Sequence, residues 1–159
     1  MATISKEKLD DILEKEKDFV NNSIHSHELE KDTFEVSSLF YARDGDSIDF
    51  LVYETDTDIV LEEDGTLFFN AVSELSKKTV EDIARFCCLD TILQYDSEDP
   101  DSVIGCGLSV HYDKSDIDDM EKLDQYLYDF AESLKEFDAL IRYAFRNKYR
   151  NENKKGVAT

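Results

Sequence analysis

Residues 103–112 read VIGCGLSVHY, and this stretch has the clearest strand pattern in the 159-residue chain. Successive side chains alternate in character, as expected for a β-strand that buries one face. One face holds Ile104, Cys106, Leu108, Val110 and Tyr112, and the other holds Gly105, Gly107, Ser109 and His111. We therefore predict a half-buried strand here.

The same stretch brings Cys106, Ser109, His111 and Asp113 within eight positions, which raises the question of a catalytic nucleophile and its base. Such a pair needs about 2.6–3.2 Å between heavy atoms, whereas residues two apart on one strand are about 6.5–7 Å apart. Cys106 lies on the apolar face, where a thiol behaves as a small hydrophobic residue. We interpret the stretch as a strand and not as a catalytic site.

The first half of the chain predicts one helix followed by antiparallel strands. Ser5 is a suitable N-cap for the helix, and residues 21–32 end that helix or form a loop. Residues 34–72 contain three or four short runs rich in β-branched and aromatic residues. Asp64-Gly65 stands between two apolar runs and is typical of a hairpin turn.

The second half predicts a helix, two strands and a long last helix. Thr79 is expected to cap the second helix, and residues 91–96 are expected to form a strand before 103–112. Ser115 is expected to cap the last helix, which reaches about 30 residues or about 45 Å. Its apolar residues are three and four apart, which is a heptad seam for packing or for dimerisation. The seam consists of Met120, Leu123, Leu127, Phe130, Leu134, Phe137 and Ile141.

These elements predict an α+β domain over residues 1–146. The order is α-β-β-β(-β)-α-β-β-α, with helices packed on an antiparallel sheet of about five strands and a long C-terminal amphipathic helix. Residues 147–159 are expected to form a basic, flexible C-terminal tail.

Charge is the strongest compositional feature. Residues 1–140 have a net charge of −25, and residues 141–159 have a net charge of +5. An acidic body repels nucleic acid, so we expect no direct binding to DNA or RNA. We expect instead a protein partner, for which a basic surface is suited, and a homodimer is compatible with the seam.

One group of carboxylates is a candidate partner surface. If the acidic side chains were ordered in rows, the protein would imitate DNA and inhibit a DNA-binding protein, as phage or mobile-element antagonists do. An ordinary solvated surface explains the same residues. The candidates are Asp96, Glu98, Asp99, Asp101, Asp113, Asp116, Asp118, Asp119, Glu121 and Asp124.

Motifs for chemistry and for targeting are missing from the sequence. Cys87 and Cys88 are adjacent and lack the spacing of a zinc site, and no phosphate-binding loop or hydrolase motif occurs. We therefore expect no enzyme, no cofactor and no metal. No apolar run approaches the roughly 18 residues of a membrane span, and three cysteines, an odd number, fit a reducing compartment. We expect a cytoplasmic protein.

Several stretches resemble the YbjN-like and type III secretion chaperone families. They are TLFFNAVSEL before the second helix, TILQYD with VIGCGLSVHYD, and the acidic turn into MEKLDQYLYDFAESLKEFDALI. The resemblance covers roughly residues 5–146 and lies in element order and pattern. It implies a small, acidic, often dimeric and non-enzymatic protein that holds an extended segment of a client. The long seam helix and the basic tail depart from the family pattern.

Overall fold

The computed structural model describes residues 4–15, 26–30, 33–41, 47–116 and 120–157. The predicted class, an α+β domain with an antiparallel sheet, is confirmed. The described elements are, in order, α1 (Lys6–Lys15), β1 (Ser26–Glu30), β2 (Thr33–Tyr41), β3 (Ser47–Glu54), β4 (Asp58–Glu63), α2 (Thr66–Val72), α3 (Lys77–Phe86), β5 (Asp90–Tyr95), β6 (Val103–Asp113), a short 3-10 helix (Lys114–Asp116) and α4 (Met120–Val157).

All six strands form one sheet in the order β1-β2-β3-β4-β6-β5, and every neighbouring pair is antiparallel. The first four strands form a meander. Helices α2 and α3 then carry the chain to the outer position of β5, and β6 returns between β4 and β5. Strands β1 and β5 are therefore the two edges of the sheet that the described strands form.

One face of the sheet carries the hydrophobic core. Leu61 of β4 lies opposite Val52 of β3 and Val110 of β6, and all three side chains belong to this face. All four helices contribute buried residues to the same cluster, so the domain has two layers. The ring of Phe130 on α4 meets that of Phe50 on β3 edge to face, with centroids 5.4 Å apart. Aromatic pairs prefer this geometry.

Helix α4 packs on the core through the predicted seam. Its described seam residues are at most 7% exposed, and they are Leu123, Leu127, Phe130, Leu134, Phe137 and Ile141. The side chain of Met120 lies outside the described ones. The seam therefore packs within the domain and does not offer a free surface for dimerisation.

Helix α4 does not end near residue 146, where we expected a tail to begin. It runs for 38 residues to Val157 and so spans about 57 Å.

Ser115 does not cap α4 but lies in the preceding 3-10 helix. There, Asp113 Oδ1 accepts hydrogen bonds from the backbone N–H and the hydroxyl of Ser115, at 2.9 and 2.7 Å.

Two predicted helix caps, Ser5 and Thr79, can be compared with the structure. Ser5 caps α1 as predicted, since its Oγ accepts the N–H of Lys8 at 3.3 Å. Helix α3 begins one turn earlier than expected, because Ser76 and not Thr79 is its cap. The Ser76 Oγ accepts the N–H of Thr79 at 3.2 Å.

Two other local predictions are wrong. Residues 26–30, SHELE, form strand β1 although we expected a helix end or a loop. Pairing with β2 determines this strand, since its own sequence is mostly polar. Asp64-Gly65 does not form a hairpin turn, and residues 66–72 are helical instead of extended. Gly65 supplies a φ of 98°, which a side chain would disfavour, at the start of α2.

A buried carboxylate explains this turn into a helix. Glu63 is only 2% exposed, and its carboxylate accepts the backbone N–H groups of Gly65, Leu67 and Phe68 at 2.8, 3.3 and 3.3 Å. These amides at the start of α2 have no partner within the helix. Burial raises the pKa of Glu63 to about 8, and the charge of Asp64 adds to the rise, although the three N–H bonds lower it.

Helix α3 ends at a left-handed residue that is not glycine. Cys88 has a φ of 60°. The N–H groups of Cys88 and Leu89 donate to the carbonyls of Arg85 and Ala84 at 3.0 and 2.9 Å. This is a Schellman motif, in which glycine is the usual residue at the position of Cys88. The motif turns the chain from α3 into β5.

The buried carboxyl predicts a pH dependence of stability. The folded-state pKa of Glu63, about 8, exceeds its ordinary value of 4.5, so its contribution is full below about pH 4.5 and is lost as the pH rises through 8. We expect the difference in unfolding free energy between wild type and Glu63→Gln to fall across this window, by at most about 1.4 kcal/mol per pH unit. Urea titrations at each pH measure it. A difference that stays constant with pH would contradict this assignment.

The end of α3 predicts a stabilising substitution. Cys88→Gly removes the Cβ that disfavours a φ of 60°, and we expect a gain of roughly 0.5–1 kcal/mol in unfolding free energy after the extra entropy of the unfolded glycine is subtracted. Urea denaturation should show a higher midpoint at an unchanged slope. Cys88→Ala keeps the Cβ and is the matched control, for which we expect no such gain.

Candidate functional site

Strand β6 contains the alternating stretch as predicted. Leu108 is fully buried, and Val110 and Tyr112 pack against the core from the same face. The ring of Tyr112 stacks on that of Tyr126 of α4 with centroids 3.7 Å apart. The side chains of Ile104 and Cys106 lie outside the described ones. The strand thus holds the sheet against α4.

No relay connects Ser109, His111 and Asp113. The hydroxyl of Ser109 is buried and has no hydrogen-bond partner among the described residues, so His111 does not activate it. The Nδ1 atom of His111 lies 3.7 Å from Oδ2 of Asp58 on the neighbouring strand. The hydrogen bonds from Ser115 to Asp113 lower the pKa of that carboxyl. Each of the three side chains therefore has separate surroundings.

The acidic candidates that the structure describes lie in separate places along β6 and α4. Four of them, Asp96, Glu98, Asp99 and Asp101, lie in the turn before β6, whereas Asp113 lies at the other end of this strand, about 33 Å away. On α4, Asp124 is half-buried, and its Oδ1 atom is buried with no hydrogen-bond partner in the part of the chain that the structure describes. Residues 118 and 119 lie outside the described residues, as do the side chains of residues 116 and 121.

The neighbours of Asp113 could not be predicted from the sequence. Asp58 of β4 lies directly opposite it, and the N–H of Lys114 donates to the carbonyl of Thr57 at 2.8 Å. The Nζ of Lys114 also donates to the carbonyl of Thr55 at 3.2 Å. No local signal predicts these contacts, because they depend on the register of β4 and β6.

The two edges of the sheet differ in sequence. Edge strands usually carry charges, proline or irregularities that prevent pairing with another chain. Strand β1, SHELE, has three titratable side chains among five residues. A shift of register occurs in both edge strands, between Glu28 and Glu30 of β1 and between Gln94 and Tyr95 of β5, so charge and not irregularity distinguishes them. Strand β5, DTILQY, has one charged residue, Asp90, at its first position. Strand β5 is therefore the less protected edge and the better candidate for binding another chain.

An open groove of about 370 Å³ lies where α3 passes the beginning of β5. Leu89 is 5% exposed and anchors the chain there, just after the left-handed turn at Cys88. The groove gives an incoming segment room beside the edge. Its described lining consists of Glu81, Arg85, Leu89, Asp90 and Thr91.

Other surfaces of the described chain are weaker candidates. A second groove, of about 570 Å³, is lined there by residues of α4 alone and offers no strand edge. No group of three or more His, Cys, Asp or Glu side chains in the described ranges is arranged to hold a metal ion. Burial raises the pKa of the Cys87 thiol to about 11, and this does not favour a reactive thiolate.

None of the helices within the described residues is long and apolar enough to cross a membrane.

The buried hydroxyl on β6 predicts a stabilising substitution. An unpaired buried polar group costs about 1–3 kcal/mol, so Ser109→Ala should raise the unfolding free energy by roughly 1 kcal/mol. Thermal and urea denaturation measure the change. Ser97→Ala, in the exposed turn before β6, is the matched control and should shift stability by less than about 0.5 kcal/mol. Destabilisation by Ser109→Ala would show that the hydroxyl has a partner.

Comparison of the chain with protein-family models, with curated proteins and with solved structures finds no match in any of the three. The resemblance to the YbjN-like and secretion-chaperone families therefore stays a prediction. The candidate site is defined by its own geometry alone: an edge strand with one charge, a groove beside it, and carboxylates at both of its ends.

Proposed function

We propose that the protein is a non-enzymatic binding module that holds an extended segment of a partner protein, in the manner of a chaperone, along strand β5. The observation that carries this proposal is the edge position of β5, with one charged residue among six. A segment that pairs with β5 would add a seventh strand to the sheet. Main-chain hydrogen bonds provide affinity in this mode of recognition, and side-chain contacts provide specificity.

A partner segment held only by main-chain hydrogen bonds to β5 would bind weakly. A six-residue edge offers roughly three outward N–H and three outward C=O groups, each worth about 0.5–1.5 kcal/mol when paired. Association itself costs at least about 4 kcal/mol in lost freedom of motion. Side chains beside the edge must therefore contribute if the complex is to be specific.

The alternative function, imitation of DNA, has less support from the geometry. Such a surface needs carboxylates in a row, and β6 separates the turn carboxylates from Asp113 by about 33 Å. The large negative charge suits a basic protein partner in either case. Capture of a DNA-binding protein whose binding maps to the Asp113 end and not to β5 would favour the alternative.

Amide hydrogen exchange tests the proposal. The probe is a nonapeptide whose five central residues are Val-Thr-Val-Thr-Val, prepared in three versions with two Lys, two Gln or two Glu residues at each end. At saturating peptide, we expect alternate amides of β5 to gain protection, because only the outward-pointing ones acquire a partner.

Strand β1, the other edge, is the internal control and should gain no protection. Protection confined to β1 or to α4, or no protection with any of the three peptides, would overturn the proposal.

A further inference from the structure

We infer that the segment held by β5 carries basic side chains at both ends of an apolar stretch of about six residues. This inference rests on the proposed function and specifies the chemistry of the partner. It comes from the distribution of charge around the edge, which is predominantly negative and concentrated at the two ends of the strand.

The first end of β5 has two carboxylates at the groove. Asp90 is exposed at the start of the strand, and Glu81 of α3 lines the same groove. Arg85 is the one cation among the five described lining residues, and its guanidinium lies 3.5 Å from Asp82. Glu81 lies 3.6 Å from Lys77 and remains partly exposed. A basic side chain of a bound segment would meet carboxylates here.

The second end of β5 leads into the turn that contains Asp96, Glu98, Asp99 and Asp101. The N–H of Asp96 donates to the carbonyl of Ser102 at 2.8 Å and closes this turn. Asp96 and Asp99 each accept one backbone N–H of the turn through Oδ1, at 2.9 and 3.2 Å. Glu98, Asp99 and Asp101 are exposed, so their charges are open to solvent in the turn that follows β5.

No cation compensates these charges along the hairpin. The sequence contains no Lys or Arg between Arg85 and Lys114, whereas it contains six Asp or Glu residues there. The middle of β5 is different, because Thr91 and Ile92 are half-buried and uncharged. Six residue steps separate Asp90 from Asp96, which is about 20 Å in a strand. A partner with basic ends and an apolar centre of this length fits both features.

At neutral pH, charge also disfavours a second copy of this chain as the occupant. If β5 paired with β5 of another copy, two hairpins that each carry six carboxylates and no Lys or Arg would face one another. Like charges placed opposite each other destabilise strand pairing. Nucleic acid is repelled for the same reason. The occupant that the edge favours is a basic, extended protein segment.

The three nonapeptides distinguish this inference from the proposed function. We expect the Lys-ended peptide to bind about tenfold more tightly than the Gln-ended one by fluorescence anisotropy at low salt, since each new surface ion pair contributes a factor of roughly 1.4–5. The Glu-ended peptide should bind most weakly. The advantage of lysine should shrink as salt rises to about 0.5 M.

Two triple variants test which carboxylates attract the Lys-ended peptide. The variant E98Q/D99N/D101N should weaken binding of the Lys-ended peptide by about three- to tenfold, and E132Q/E136Q/E152Q, which removes three exposed carboxylates of α4, should leave it nearly unchanged. A Lys-ended peptide with a Gly-Ser centre tests non-specific attraction and should bind far more weakly than its Val-Thr counterpart.

Equal binding of the Lys-ended and Gln-ended peptides would overturn the inference and leave the proposed function standing. Equal loss of affinity in the two triple variants, or equal binding of the Gly-Ser peptide, would also overturn it. Protection outside β5 with every peptide would overturn the proposed function and the inference together.

Discussion

The packing of the α4 seam on one face of the sheet is the interaction on which the rest of the structure depends. Phe130 of α4 against Phe50 of β3 marks its centre, and the stacked rings of Tyr112 and Tyr126 mark the end where α4 begins. Because one long helix covers β3, β4 and β6, the middle of the sheet is fixed. The outer strand β5 is held by β6 and by the buried Leu89, and it leaves an edge beside the groove.

Features with a repeating apolar pattern could be predicted from the sequence. Alternation placed Leu108, Val110 and Tyr112 of β6 on the core face, and heptad spacing identified the buried residues of α4. Both patterns arise because one face of the strand or helix is buried against the core. They need no knowledge of what lies opposite.

Features that depend on distant pairing could not be predicted. The polar sequence of β1 becomes a strand only because β2 is beside it, and Asp64-Gly65 opens a helix only because Glu63 is buried next to it. The candidate site also depends on pairing between strands that are distant in sequence. Nothing within DTILQY shows that it is an edge strand, since this follows from the return of β6 between β4 and β5. The predicted strand at 103–112 already separates the carboxylates of residues 96–101 from Asp113, but the sequence does not show that the first group lies beside a sheet edge.

The exposed edge of β5 has a consequence for polymerisation. Strand β5 of one copy could pair with β1 of the next, because the two strands lie at opposite edges of the sheet. Such head-to-tail contacts can continue as an open filament instead of closing into a ring. At neutral pH, a net charge of −20 keeps copies apart. Near the isoelectric point, about 4.3, that repulsion vanishes. Acidic storage is therefore the condition in which fibrous assemblies of this protein would grow.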